Sequence, residues 1–294
     1  MRGETEIMIR FGPAGSSDSF HAMGYKTMLQ MPQYLEQFGL RAFEYQCGHG
    51  VRVNEDVARK FGEISHEKGI SISLHAPYYI SLSSPEPDKR EKSIDYIMQS
   101  ARAVDWMGGE RIIVHSGSAS KMTREEALAL SVDTLILARK ALDDAGYGHI
   151  NICPETMGKV GQLGTLEEVL DLCRIDERMI PCIDMGHLYA RTFGETNGYE
   201  AYDDIFRNVE QALGTKRMRG IHMHFSKIAF TEKGGEKMHL KFEDEGFGPD
   251  FEPLSRVLFQ RKCEPTVICE SAGTQAEDAA SMMHIYEETA RTSS

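Results

Sequence analysis

The chain has 294 residues, ample for one large α/β domain, and its 41% hydrophobic and 27% charged side chains are those of an ordinary water-soluble globular protein. Its 33 basic against 45 acidic residues leave a net charge of −12, which argues against broad nonspecific nucleic-acid binding but permits a local positive site. Apolar runs fall far short of the ~18–20 residues of a membrane helix, MRGETEIMIRFG lacks the apolar stretch of a secretory signal, and the six cysteines lack CxxC spacing, so the expectation is a reduced, cytoplasmic protein without membrane contact.

In chain order, eight strand-like runs can be marked: EIMIRFG, RAFEYQC, SISLHAP, RIIVHSG, NICPET, MIPCIDMGH, GIHMHFSK and TVICES. They are short, rich in Ile and Val, and bounded by Gly, Pro or Ser, as buried parallel strands are. Helical periodicity lies between them. KTMLQMPQYLEQFG and NEDVARKFGEISHEKG each close near a glycine. DKREKSIDYIMQSARAVDWMGG and TREEALALSVDTLILARKALDDAG follow, and Thr123 with Glu126 opens the second as a capping box. TLEEVLDLCRI repeats the device with Thr165 and Glu168; GYEAYDDIFRNVEQALG, DFEPLSRVLFQR and AEDAASMMHIYEETA complete the series. Eight strand–helix alternations predict a (β/α)8 TIM barrel, taken as a single domain over 1–294. An open doubly wound sheet is the competing architecture, but GPAGSSDSF after the first strand lacks the GxGxxG turn such a sheet usually carries. Two connections, 188–199 and 228–249, are read as long loops at the catalytic end.

Six of the runs end in a histidine or an acid: His75, His115, Glu155, Asp184, His224 and Glu270, at intervals of 40, 40, 29, 40 and 46 residues. Barrel chemistry sits at the C-terminal ends of strands, and imidazole with carboxylate is the ligand set of zinc and its neighbours. His222 and His224 share one face of their strand; His224 is nearer the mouth and is read as the ligand, His222 as a buried hydrogen-bonding partner. Asp184 and His187 form D-x-x-H where the strand breaks, a spacing that reaches two neighbouring ions. His239 comes from a loop, and Glu155 and Glu270 suit a bridging carboxylate and a base or ligand. The set suffices for two to three ions. Tyr78 and Tyr79, beyond His75, are placed either to pack or to reach over the mouth toward a substrate.

Read together, the motifs HAPYY (75–79), VHSGS (114–118), PET (154–156), CIDMGH (182–187), HFSK (224–227), MHLKFEDEGFG (238–248) and ICES (268–271) resemble the endonuclease IV family of apurinic/apyrimidinic endonucleases, within the wider xylose isomerase-like barrels, in that family's order over about residues 7–290. The resemblance implies zinc, with manganese as the alternative ion. His75 and His115 would take the first ion, Glu155 would bridge the first and second, Asp184, His224 and Glu270 would complete the second, and His187 and His239 would take the third. It also implies that Tyr78 pushes into DNA at a lesion. Three departures stand out. Lys237 occupies the position two before the loop histidine where the family has an aspartate, leaving Glu236 as the substitute ligand; the H-x-N-D pattern is shortened to HFSK; GPAGSSDSF and QCGHGVRV lack a match to the DNA-gripping loops. The implied activity is metal-dependent hydrolysis of DNA 5′ to abasic sites, with Glu155 and Glu270 as the catalytic carboxylates. The alternative is a metal-dependent sugar isomerase or epimerase with a small sugar as substrate.

Overall fold

The computed structural model describes residues 9–293. β1 (Arg10–Pro13) is followed by α1 (Asp18–Ala22) and α2 (Met31–Gln37), β2 (Ala42–Gln46) by α3 (Glu55–Glu67), and β3 (Ser71–His75) by α4 (Pro87–Trp106). β4 (Arg111–His115) precedes α5 (Arg124–Asp144), and β5 (Asn151–Glu155) precedes α6 (Leu166–Cys173). β6 (Cys182–Asp184) runs straight into α7 (Met185–Arg191), with α8 (Tyr199–Leu213) and α9 (Thr215–Arg219) behind it. β7 (His222–Phe225) leads to a hairpin, β8 (Lys227–Thr231) and β9 (Gly235–Leu240), before α10 (Phe251–Gln260), β10 (Thr266–Cys269) and α11 (Gln275–Ser293).

Eight strands form one parallel sheet in the order β1-β10-β7-β6-β5-β4-β3-β2. The sheet closes on itself where Ala14 bridges Glu44, Gly15 N donates to Glu44 O at 3.0 Å and Arg41 N to Phe11 O at 3.0 Å. Gly12 makes that seam possible, since a Cβ there would stand 1.8 Å from the carbonyl oxygen of Ala42. The predicted (β/α)8 barrel is therefore the observed one.

Alternation along each strand sorts the side chains. Ile72, Leu74, Ile112, Val114, Ile152 and Val267 join the large core beneath the helices, where each fully buried aliphatic side chain contributes about 1.5–3 kcal/mol. The other face holds two small apolar groups, Ala14 with Ala42 and Ile268, and Ile113 with Cys153 and Cys182. All six cysteines are buried and free. Both capping boxes form, at Thr123 with Glu126 and at Thr165 with Glu168.

The structure departs from the sequence expectations at several points. Residues 6–8 of the first run lie outside the described residues, and the strand seen is Arg10–Pro13. MIPCIDMGH yields only three strand residues, because the Asp184 carboxylate accepts from His187 N at 2.7 Å and starts α7 at once. The expected loop from 188 is thus helical through Arg191. The expected loop 228–249 holds the antiparallel hairpin β8–β9. A short helix, α1, begins within GPAGSSDSF, the segment read as the loop after the first strand. No helix among the described residues is long and apolar enough to cross a membrane.

Candidate metal centre

The barrel brings the strand-end residues together at one mouth. Nε2 of His75 lies 3.4 Å from Glu155 Oε2, and Nε2 of His115 lies 3.5 Å from the same oxygen. The other carboxylate oxygen, Glu155 Oε1, is 3.0 Å from His224 Nδ1, which also faces Glu270 Oε2 at 3.6 Å and Asp184 Oδ2 at 3.9 Å. One glutamate therefore stands between two groups of donors. Ligands 2.0–2.1 Å from a tetrahedral ion are separated by about 3.3–3.4 Å, close to the spacing of the first group. Two oxygens of this set, Glu155 Oε2 and Asp184 Oδ2, are buried without a hydrogen-bond partner. Unsatisfied buried carboxylate oxygens are costly, and a cation is the partner that satisfies them. The residues fit a metal.

A third group forms where the hairpin meets α7. His187, Glu236 and His239 offer ligand atoms within 4.8 Å of one another, and His187 Nε2 is 3.5 Å from Glu236 Oε2. The register of the hairpin explains Glu236. Ala229 pairs with Met238 and Phe230 with Glu236, so Lys237 is the extra residue of a β-bulge. The bulge shifts the alternation by one, placing Glu236 rather than the exposed Lys237 beside His239. Backbone bonds dock the hairpin on the loop after β5, from Glu236 N to Gly158 O at 3.1 Å and from Val160 N to Gly234 O at 3.2 Å. Only glycine fits at 158, since a Cβ there would meet Glu236 Cβ at 2.6 Å and His187 Cδ2 at 3.0 Å.

Outer hydrogen bonds orient these rings. His75 Nδ1 bonds to Ala76 O at 2.9 Å and His187 Nδ1 to Thr156 O at 2.8 Å; as donors they leave both Nε2 lone pairs facing the clusters. His239 Nδ1 sits 2.8 Å from Ser226 Oγ.

Charge in the site is strongly redistributed. Burial works against a charged His187, yet Asp184, Glu155 and Glu236 lift it to about 10. His115 goes the other way, pushed down to about 3 by burial against the attraction of Glu155, with His75, His187 and His224 adding repulsion. Burial also disfavours Glu155 as an anion, but His224, His187 and His75 hold it well below the usual carboxylate range. Glu270 is raised by burial despite the pull of His224 and His239.

The mouth opens into a cavity of about 330 Å³ lined by both imidazoles of the first group, Glu270, Tyr78 and Lys159, among others. Tyr78 stacks on His115 with ring centroids 5.3 Å apart, so it covers the first group. Tyr79 does not line this cavity; its ring lies against Tyr96. Sequence reasoning missed Lys159, a loop cation, and missed Glu44 entirely. Glu44 is fully buried one layer below the mouth, where His222 Nε2 and Ser73 Oγ each bond to its Oε2 at 2.9 Å. An acid in the middle of an otherwise apolar buried strand was the available signal.

Known proteins share this architecture. A family model described as xylose isomerase-like TIM barrel matches residues 32–287. The chain belongs to that family. A protein of Methanocaldococcus jannaschii described as uncharacterized is 32% identical over 289 residues, 96% of this chain and 98% of the relative. A probable endonuclease 4 of Aquifex aeolicus is 25% identical over 79% of this chain and 82% of its own length. Among solved structures, a D-tagatose 3-epimerase-like protein superposes with a TM-score of 0.71 at 18% identity, covering 97% of this chain and 99% of its own. Endonuclease IV of Thermus thermophilus gives 0.63 at 20%, over 96% and 99%. The chain thus has a probable endonuclease among its relatives and shares its fold with an epimerase-like protein, and it carries clusters of His, Asp and Glu able to hold metal.

Proposed function

We propose that the mouth is a trinuclear metal centre and that the protein is an endonuclease IV-like phosphodiesterase hydrolysing DNA 5′ to abasic sites. The observation that carries this reading is the third group, His187, Glu236 and His239, completed by the bulge at Lys237. Proton transfer on a sugar needs one metal and a base; a third donor group has a use in clamping a phosphodiester.

His75, His115 and Glu155 would hold one ion, Glu155, Asp184, His224 and Glu270 a second, and His187, Glu236 and His239 a third. Zinc held there, or manganese in its place, would supply Lewis acidity toward a phosphoryl oxygen and lower the pKa of water. Glu155 keeps two groups of donors in register by dividing its oxygens between them. Glu270 borders the cavity with its carboxyl raised by burial, which suits it to take a proton from an attacking water. Lys159 supplies a cation for a phosphate, and Tyr78 offers a ring face at the entrance. An abasic nucleotide is already poorly stacked, so turning it into such a cavity costs little.

A sugar epimerase is the second reading, favoured by a cavity of about 330 Å³ with Glu155 and Glu270 both at its wall. A duplex carrying one abasic-site analogue, incubated with metal-loaded protein, separates the two. Incision on the 5′ side, with binding that weakens steeply as salt rises, is expected. An intact duplex together with interconversion of a ketose would reverse the assignment.

A further inference from the structure

The inner layer of the barrel holds a second carboxylate whose surroundings differ from those of the mouth. Glu44 stands on β2 opposite Ser73 of β3, and its backbone carbonyl takes part in closing the barrel. Its position is therefore set by the strand pairing that closes the barrel. Glu44 Oε2 accepts from Ser73 Oγ and His222 Nε2, both at 2.9 Å, and Oε1 accepts from Gln46 Nε2 at 3.3 Å. That same Oε1 lies 3.0 Å from His224 Nε2. His224 Nε2 is buried and makes no aligned hydrogen bond, so this contact is one of charge and proximity.

His224 thus has a carboxylate at each nitrogen. Nδ1 faces Glu155, Glu270 and Asp184, the donors of the second group, while Nε2 faces Glu44 alone among the acids it meets. His224 is thus held 3.0 Å from Glu44 at Nε2 and 3.0 Å from Glu155 at Nδ1, while His222 Nε2 stands 2.9 Å from Glu44. A neutral imidazole carries one proton and one lone pair. The side that meets an acid with no other cation takes the proton, and the lone pair falls on Nδ1.

We infer that Glu44 is a positioning residue of the centre: its charge beside Nε2 of His224 favours the proton on that nitrogen and thereby presents Nδ1 to the second metal, with His222, Ser73 and Gln46 fixing Glu44 in turn. This rests on the mouth being a metal centre. Its consequence is local. Loss of the Glu44 charge weakens one bound ion and leaves the first and third groups as they are.

The test is a zinc titration of metal-free protein against a chromophoric chelator, for wild type, Glu44→Gln and Ser73→Ala, with the melting of each metal-free protein as a check on the fold. Glu44→Gln is expected to weaken one equivalent by about 10–100-fold and spare the others. Ser73→Ala, which removes one bond from Glu44 but keeps its charge, is expected to weaken the same equivalent by roughly threefold, as one lost hydrogen bond would. Nitrogen NMR shifts of His224 in the zinc-loaded wild type should report Nε2–H. Wild-type affinity at every equivalent in a folded Glu44→Gln, or an Nδ1–H tautomer in the loaded protein, overturns the inference. Should Glu44→Gln not fold, unchanged binding by Ser73→Ala together with that tautomer would do so. A wild type that takes up no zinc overturns the metal centre itself, an outcome distinct from either.

Discussion

The first and third donor groups sit side by side in one mouth but are built differently. His75, His115 and Glu155 end three adjacent barrel strands whose register is fixed by continuous parallel pairing. His187 comes from the first turn of α7, and Glu236 and His239 come from a two-stranded hairpin outside the barrel. The first group is fixed by the barrel strands themselves; the third depends on the hairpin docked on the Gly158 loop. A group fixed by the barrel is thus combined with one held by a docked hairpin.

That contrast can be broken from either side. The largest effect belongs to the shared ligand: Glu155→Ala is expected to remove more than one equivalent of metal and lower turnover by on the order of 10³-fold. Loss of one equivalent or none, by elemental analysis, would contradict a bridge. Gly158→Ala acts on the third group, because its new methyl would crowd both Glu236 and His187. It is expected to weaken the third equivalent by about 10–100-fold and to spare the other two.

A pH experiment sharpens the comparison further. In metal-free protein His187 is raised to about 10, so its contribution to stability is complete below its unfolded value of about 6.5 and is lost as pH climbs toward 10. His115 is lowered to about 3, so its contribution is complete above about 6.5 and is lost as pH falls toward 3. Melting temperatures of metal-free protein should therefore fall on the alkaline side through His187 and on the acid side through His115. Added zinc requires a neutral His187 and should abolish the alkaline fall while releasing protons near neutral pH. An alkaline arm that persists unchanged with zinc would contradict a role for His187 as ligand. The smallest effect is a control: Thr123→Ala removes a cap from α5, costs about 1 kcal/mol by thermal melting, and should leave metal uptake unchanged.

Much of this was legible in the chain. Strand-end residues of a barrel must point either in or out, and His75, His115, Glu155, Asp184, His224 and Glu270 announce themselves by ending apolar runs at near-regular spacing. Height along one face of the strand, not alternation, separates His224 from His222, whose partner turns out to be a buried acid. Glu236 was expected as a substitute, but the reason is a bulge, which depends on the pairing of two strands and leaves no local mark. The hairpin itself was hidden because Lys, Glu and Gly dominate its turn and outer face, as they do in a loop. Glu44 escaped notice because its meaning lies in residues 29 and 178 positions away, brought to it only by barrel closure. Tyr79, left open between packing and reaching over the mouth, has its ring against Tyr96, although it adjoins Tyr78 in the chain.

The most direct test of a trinuclear mouth is the metal content per chain of protein purified without chelator, measured beside Glu236→Ala and His239→Ala. Near three equivalents for wild type and near two for each variant is the predicted result. One equivalent in all three proteins would contradict it and leave the hairpin residues without a metal to hold.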